Sequence, residues 1–287
     1  MNDYVICLDS SCDLSVAAAK ERDYHMSSLT FRFNDSETEY SNEGMPISEF
    51  YQRMREGGVA MTAAINAATF SSEFEKHLKA GLDILYIGFS SGLSTTYNSA
   101  CIAAKELGEK YPDRKIVTVD TLAASAGIAL LADIVLEAKN NGASLEEAAA
   151  LAESKKLSIS HFFTVDDLEY LKRGGRVNPA VAFVGNMLGI KPILHVDNEG
   201  HLVKIDKARG RHASILALAD KYGSLAEHVG EPFYISHGDC LDSAEKLAEI
   251  ITEKYGAPCG LITDVGPVIG AHAGPGVIAL FFVGKER

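Results

Sequence analysis

Five hydroxyls fall within seven residues at Ser90-Ser91-Gly92-Leu93-Ser94-Thr95-Thr96, and two kinds of chemistry can be built from them. The first is anion binding. A Ser/Thr loop that opens a helix puts side-chain donors beside the unpaired N–H groups and the positive dipole end of its first turn. The second is acyl transfer, because Gly88-Phe89-Ser90-Ser91-Gly92 matches G-x-S-x-G, and Asp264 and His272 follow Ser90 in the hydrolase order. A nucleophile elbow runs directly from its Ser into the helix, whereas here Gly92-Leu93 separates Ser90 from the helix start at Ser94. A plainer alternative makes Ser94 an N-cap only, worth about 1 kcal/mol. That role uses one of the five hydroxyls.

A second concentration of unusual residues is Gly266-Pro267-Val268-Ile269-Gly270-Ala271-His272-Ala273-Gly274-Pro275-Gly276. Its four Gly and two Pro predict a tightly bent loop with one titratable side chain, His272, at its middle. Metal ligation is not expected, since no two of the nine His stand at the i+3 or i+4 spacing of a helical pair. His195, His201, His237 and Asp239 read as strand and turn residues. From Lys172 to Arg211 eight basic residues face three acids, a local +5 inside a chain of net charge −12. That segment is either a solvated face or a patch for a phosphate or acidic partner, for which Arg is well shaped. Gly174-Gly175 turns the chain and exposes Arg173 and Arg176.

The elements that must position these residues follow from periodicity. Asp83 to Phe89 and Tyr4 to Leu8 are short apolar runs, as in strands buried on both faces, and Lys115 to Val119 is a third. Each hands over to a helical pattern, beginning near Leu14, near Tyr97 and after Thr121, the last ending at Asn141-Gly142. Strand and helix in alternation predict a parallel sheet, whose ligands sit beyond the carboxyl ends of the strands. Asp9-Ser10-Ser11, Ser90 to Thr96 and Asp120-Thr121 are therefore expected to share one crevice. Ser36 to Asn66 reads as a long polar loop interrupted by a helix near Ile47 to Arg55, with Thr62 able to offer a hydroxyl to the crevice. The texture changes after Ser158, which divides the chain into 1–158 and 159–287. The second part has strands at Ile159 to Thr164, Ile190 to Val196, His201 to Asp206, Phe233 to Ser236, Gly260 to Thr263 and Val277 to Val283. A hairpin turn lies at Asp197-Asn198-Glu199-Gly200, and helices near Val165 to Lys172, Ser214 to Tyr222 and Ser243 to Tyr255. This mixture predicts an α+β unit with a mixed or antiparallel sheet.

At 287 residues and 47% hydrophobic the chain can bury a large core. A net charge of −12 argues against general affinity for nucleic acid or anionic membrane. Five Cys without a C-x-x-C fit free thiols in a reducing compartment. With no signal-like N-terminus and no spanning apolar run, a cytoplasmic location is expected.

Four motifs together resemble the DegV family: Asp9-Ser10-Ser11-Cys12-Asp13-Leu14, Ser90 through Ala100, Leu171-Lys172-Arg173-Gly174-Gly175-Arg176, and Gly270 through Gly276. The resemblance implies a two-domain fold that binds a long-chain fatty acid between its domains and presents it to a separate kinase for acyl-phosphate formation. By that likeness Thr62 and Ser94 hold the carboxylate with His272 close by, Ser91 is the other candidate in its loop, and Ala63 stands beside Thr62. Arg209 joins Arg173 and Arg176 as partner-facing or phosphate-facing. No cofactor is implied, and the chain, lacking G-x-x-x-x-G-K-[ST] and G-x-G-x-x-G, is expected to carry its ligand rather than to catalyse. Where the family has T-S-x-P-S, this chain has Thr62-Ala63-Ala64-Ile65-Asn66, so fewer hydroxyls are available to the head group.

Overall fold

Burial decides which sheet each strand enters. The computed structural model describes residues 3–177 and 189–287. Strands β1 (Tyr4–Asp9) and β6 (Asp83–Gly88) are buried at every residue, as strands covered on both faces must be. With β2 (Tyr24–Ser27) and β7 (Ile116–Asp120) they form a parallel sheet of order β2-β1-β6-β7. Helices α3 (Ala67–Lys79) and α4 (Thr96–Lys110) pack together beside this sheet, and α5 (Ala126–Asn140) packs with α6 (Leu145–Lys155). A Ser144/Glu147 capping box starts α6. The periodicity left α3 and α6 unmarked.

The six-stranded sheet lies entirely within 159–287 and has the order β10-β9-β8-β13-β11-β12. Its strands are β8 (Ile159–Thr164), β9 (Ile190–Val196), β10 (Leu202–Arg209), β11 (Phe233–His237), β12 (Cys259–Asp264) and β13 (Ile278–Val283). Only β11 and β12 pair in parallel, so the sheet is mixed. Helices α8 (Arg211–Leu225) and α9 (Leu241–Tyr255) close one face over Phe162, Phe233 and Phe282, with Tyr222 of α8 packed on the last two. Helix α5 closes the other, touching β8, β11 and β13 while also touching β6 of the parallel sheet. Buried Ile128, Leu130, Leu131 and Val135 point in several directions around α5, the pattern of a helix enclosed on every side. The change of sheet falls at 158/159, yet one hydrophobic core runs across it from Ile84 and Leu131 to Ile159, Phe163 and Val265.

Three expectations are corrected. Ser36 to Asn66 is not a long loop. It contributes β4 (Tyr40–Ser41) and β5 (Ala60–Ala63) to a three-stranded antiparallel sheet with β3 (Thr30–Phe33). Phe31 and Phe33 of that sheet pack on Phe50, Tyr51 and Met54 of α2 (Ile47–Arg55). The stretch Gly266 to Gly276 contains a helix, α10 (Pro267–Ala273), with Pro267 in its first turn and Gly274 at φ 79° ending it. Likewise the segment Val165 to Lys172 is helical only at α7 (Glu169–Arg173). Among the described residues no helix is long and apolar enough to cross a membrane.

Candidate functional site

The hydroxyl loop is held by carboxylates beneath it. Phe89 N–H and Tyr86 Oη donate to Asp9 Oδ2 at 3.0 and 2.6 Å, and Ser91 N–H donates to Asp120 Oδ1 at 3.2 Å. Burial pushes the Asp9 carboxyl up from its ordinary range despite these bonds. Asp9 and Asp120 thus adjoin the loop as expected, but neither they, Ser10, Ser11 nor Thr121 lines the cavity described below. They are scaffolding.

Ser90 is fully buried, and its Oγ donates to the Gly200 carbonyl at 2.9 Å while accepting from Gly92 N–H at 3.1 Å. Asp264 stands 3.6 Å from His237, and His272 is bonded to Thr62. No Ser90–His272–Asp264 relay is assembled, which removes the structural basis of the hydrolase reading. Ser94 is also displaced from its expected role, because the N-cap of α4 is Thr95, whose side chain makes no capping bond. Ser94 Oγ accepts from Thr96 N–H at 3.2 Å and lies 2.9 Å from Thr96 Oγ1. Its hydroxyl therefore stands at the helix N-terminus and also lines the cavity.

That cavity, about 380 Å³, lies between the carboxyl end of the parallel sheet and the α5-facing side of the six-stranded sheet. One part is polar, with Thr62, Ser91, Ser94, Arg176 and His272, and Ala63 and Thr95 also line it. The remainder is mainly apolar, with Leu29, Phe89, Phe163, Val196, Val268 and Phe281 among its walls. Strand β5 delivers Thr62 and α10 delivers His272, whose Oγ1 and Nε2 lie 2.9 Å apart. Burial first, and the Arg176 guanidinium second, hold the imidazole uncharged, with its pKa lowered to about 4. Its Nδ1 is buried without a partner among the described residues. The tautomer protonated at Nε2 leaves only a lone pair unpaired at Nδ1, and it frees the Thr62 O–H to donate to an anion.

The three arginines are not equivalent. Arg176 lines the cavity and donates from Nε to the Leu93 carbonyl at 3.3 Å. Arg173 is exposed, 5.5 Å from the Tyr170 ring, and Arg209 is exposed at the end of β10; neither lines the cavity. The basic segment is also less cationic than its sequence suggests, because Lys172 pairs with Glu169, and Lys191 and Arg211 share Asp166. Two polar residues that line the cavity escaped sequence reasoning. Ser125 Oγ lies between Asp13 and Ser236, 2.7 Å from the latter, and His161 sits on β8; no motif or spacing marks either.

The geometry has counterparts among known proteins. A DegV domain-containing protein of Clostridium perfringens is 40% identical over all of this chain and 99% of its own length. A solved structure from Thermus thermophilus, described as fatty acid binding of a DegV family protein, aligns with TM-score 0.87 at 28% identity, covering 98% of this chain and 99% of that one. The Streptococcus pneumoniae fatty acid kinase B3 protein, solved loaded with linoleic acid, shares the fold with TM-score 0.87 at 20% identity, over 99% of this chain and all of its own. The family model described as an uncharacterised protein of the DegV family matches residues 4–285, and with it the parallel sheet, the mixed sheet and the cavity between them. The chain belongs to the DegV family.

Proposed function

We propose that this protein binds a long-chain fatty acid in the cavity, with the carboxylate at Thr62 and Ser94, and presents it to a separate kinase that forms the acyl phosphate. The observation that carries the reading is the division of the cavity between a small hydroxyl-bearing end and an apolar remainder. An acyl chain gains about 0.8 kcal/mol for each buried CH₂, and its carboxylate needs convergent donors to be buried at all. Thr62, Ser94 and the first turn of α4 beyond Thr96 supply donors without a formal charge, with Arg176 the cation that lines the same end. Neutral donors hold a carboxylate more weakly than an ion pair would, which suits a group that is handed on. The fatty acids named with the related structures support the ligand class, and the kinase named with one of them supports the partner. Arg173 and Arg209, outside the cavity, are assigned to the partner surface, and Arg176 to the head-group end, where a nascent phosphate would lie.

Protein purified from its host under native conditions, ionised intact and then denatured, should release a fatty acid in about one copy per chain. Recovery of no lipid, together with no saturable binding of a fluorescent fatty acid, would remove the reading.

A further inference from the structure

The apolar part of the cavity reaches a row on the six-stranded sheet that holds two rings, His161 and Phe281, with Val196 and Leu202 lining the cavity on the neighbouring strands. On the side facing α5, β8 presents His161 and Phe163 and β13 presents Phe281 and Ala279, paired Phe281 with His161 and Ala279 with Phe163. One pleat further back the pair Val283 and Ile159 lies outside the cavity. At the opposite end of these strands Thr164 pairs with Ile278, which follows Val277 and so leads to Ala273 and His272. Three residues of strand, about 10 Å, separate His161 from that end. We infer that His161 sets the length of acyl chain the cavity accepts. This rests on the fatty-acid reading above.

The imidazole is fixed on three sides. Its Nδ1–H donates to the Ile159 carbonyl at 2.7 Å, and its ring meets Phe281 edge to face with centroids 5.3 Å apart. On the third side α5 approaches so closely that a Cβ on Gly127 would collide with Nε2. Burial and the nearby Arg287 keep the ring uncharged. A Leu or Met at this position could change rotamer to admit a longer chain, whereas this ring cannot swing aside. The terminal methyl of a bound chain meets a wall.

The same contacts make the wall removable. Nε2 has no partner among the described residues, so replacing the ring with hydrocarbon sacrifices no bond to them there. The Ile159 carbonyl keeps a donor, because Arg287 Nε also reaches it at 3.4 Å. His161→Ala and His161→Val therefore lengthen the cavity without orphaning a buried group, and His161→Phe keeps a ring in place.

The test measures dissociation constants of a saturated fatty-acid series rising in two-carbon steps for the wild type and all three variants. His161→Ala and His161→Val are expected to move the optimum at least one step longer, improving the longer chain relative to the wild-type optimum by about 15-fold, the worth of two more buried methylenes. His161→Phe is expected to keep the wild-type optimum. An unchanged profile in the Ala and Val variants, or an even loss at every length such as a structural defect produces, overturns the assignment. The wild-type arm alone tests the underlying reading: binding of no member of the series would remove the fatty-acid function, and with it the role of His161.

Discussion

At Thr62, Ser94 and His272 the residue types were legible in the sequence, but their interactions were not. The Thr62–His272 bond joins residues 210 apart in the chain, a pairing that no local pattern encodes. Thr62→Ala and Ser94→Ala are each expected to weaken fatty-acid binding by about 1.5–3 kcal/mol, the usual worth of a hydrogen bond to a charged group, with the melting temperature little changed. Titration with a fluorescent fatty acid checks this, and wild-type affinity in both variants would refute the head-group assignment. His272 also makes a pH prediction. Its folded pKa, about 4, lies below the ordinary value of 6.5, so below pH 6.5 the unfolded chain takes up a proton that the native site refuses. Stability attributable to this residue is present above pH 6.5 and is lost as pH falls towards 4. Between pH 7 and pH 5 the loss is about 2 kcal/mol. Urea midpoints at the two values should fall less in His272→Gln than in the wild type; an equal fall would show that other groups govern the acid limb.

Elements with a long periodic signal were read well, and the errors lie where packing supplies what the local pattern lacks. β1 and β6 are short apolar runs, β8 and β9 are apolar stretches interrupted by polar residues, and all four appear within a residue or so of where the sequence places them. β4 has only two residues, and β5 is a four-residue strand with no residue fully buried, so neither produces an alternation to detect. Their pairing with β3 depends on the aromatic cluster of Phe31, Phe33 and Phe50, contributed from elsewhere in the chain. In α10 the abundance of Gly and Pro disguised a helix, since Pro267 is compatible with a first turn and Gly274 ends the last one. The hairpin turn at Asp197 to Gly200 was legible; its docking on the hydroxyl loop was not. Gly200 has φ 79°, and a Cβ there would strike Ser90 Oγ, while Ser90 in turn donates to the Gly200 carbonyl. Gly200→Ala is therefore expected to cost about 1–3 kcal/mol from backbone strain and to weaken ligand binding through the displaced loop. Gly57→Ala is the control. At φ 98° it carries comparable strain, but nothing lies within 4 Å of the added methyl and it does not line the cavity. Denaturant unfolding of both variants with parallel ligand titrations separates the effects, and equal affinity losses would show that the hairpin contact does not position the loop.

Across the whole molecule, the two large sheets are joined by α5 and by polar ties that fix the start of α10. Asp13 Oδ1 accepts from Gly266 N–H at 2.9 Å, Tyr51 Oη donates to the Val265 carbonyl at 2.7 Å, and Asn42 Oδ1 accepts from Val268 N–H at 3.1 Å. Residues of the first half thereby position the helix that carries His272, and this is why neither half of the sequence alone describes the site. Under the proposed function the outer surface makes a different demand, because a protein that hands its ligand to a kinase must meet that kinase without disturbing the ligand. Arg176 is unsuited to testing that surface, since it lines the cavity and bonds to Leu93, so reversing its charge would alter binding and docking together. Arg173 and Arg209 are exposed, lie outside the cavity and form no ion pair among the described residues. Arg173→Glu with Arg209→Glu should leave fatty-acid affinity close to that of the wild type and slow acyl-phosphate formation by a cognate kinase about tenfold or more at low salt. Because surface charges are screened over about 10 Å at 0.1 M salt and about 3 Å at 1 M, the difference should shrink as salt is raised. A doubly reversed protein phosphorylated at the wild-type rate at both low and high salt would mean that these arginines form a solvated face, and that the kinase docks on another surface.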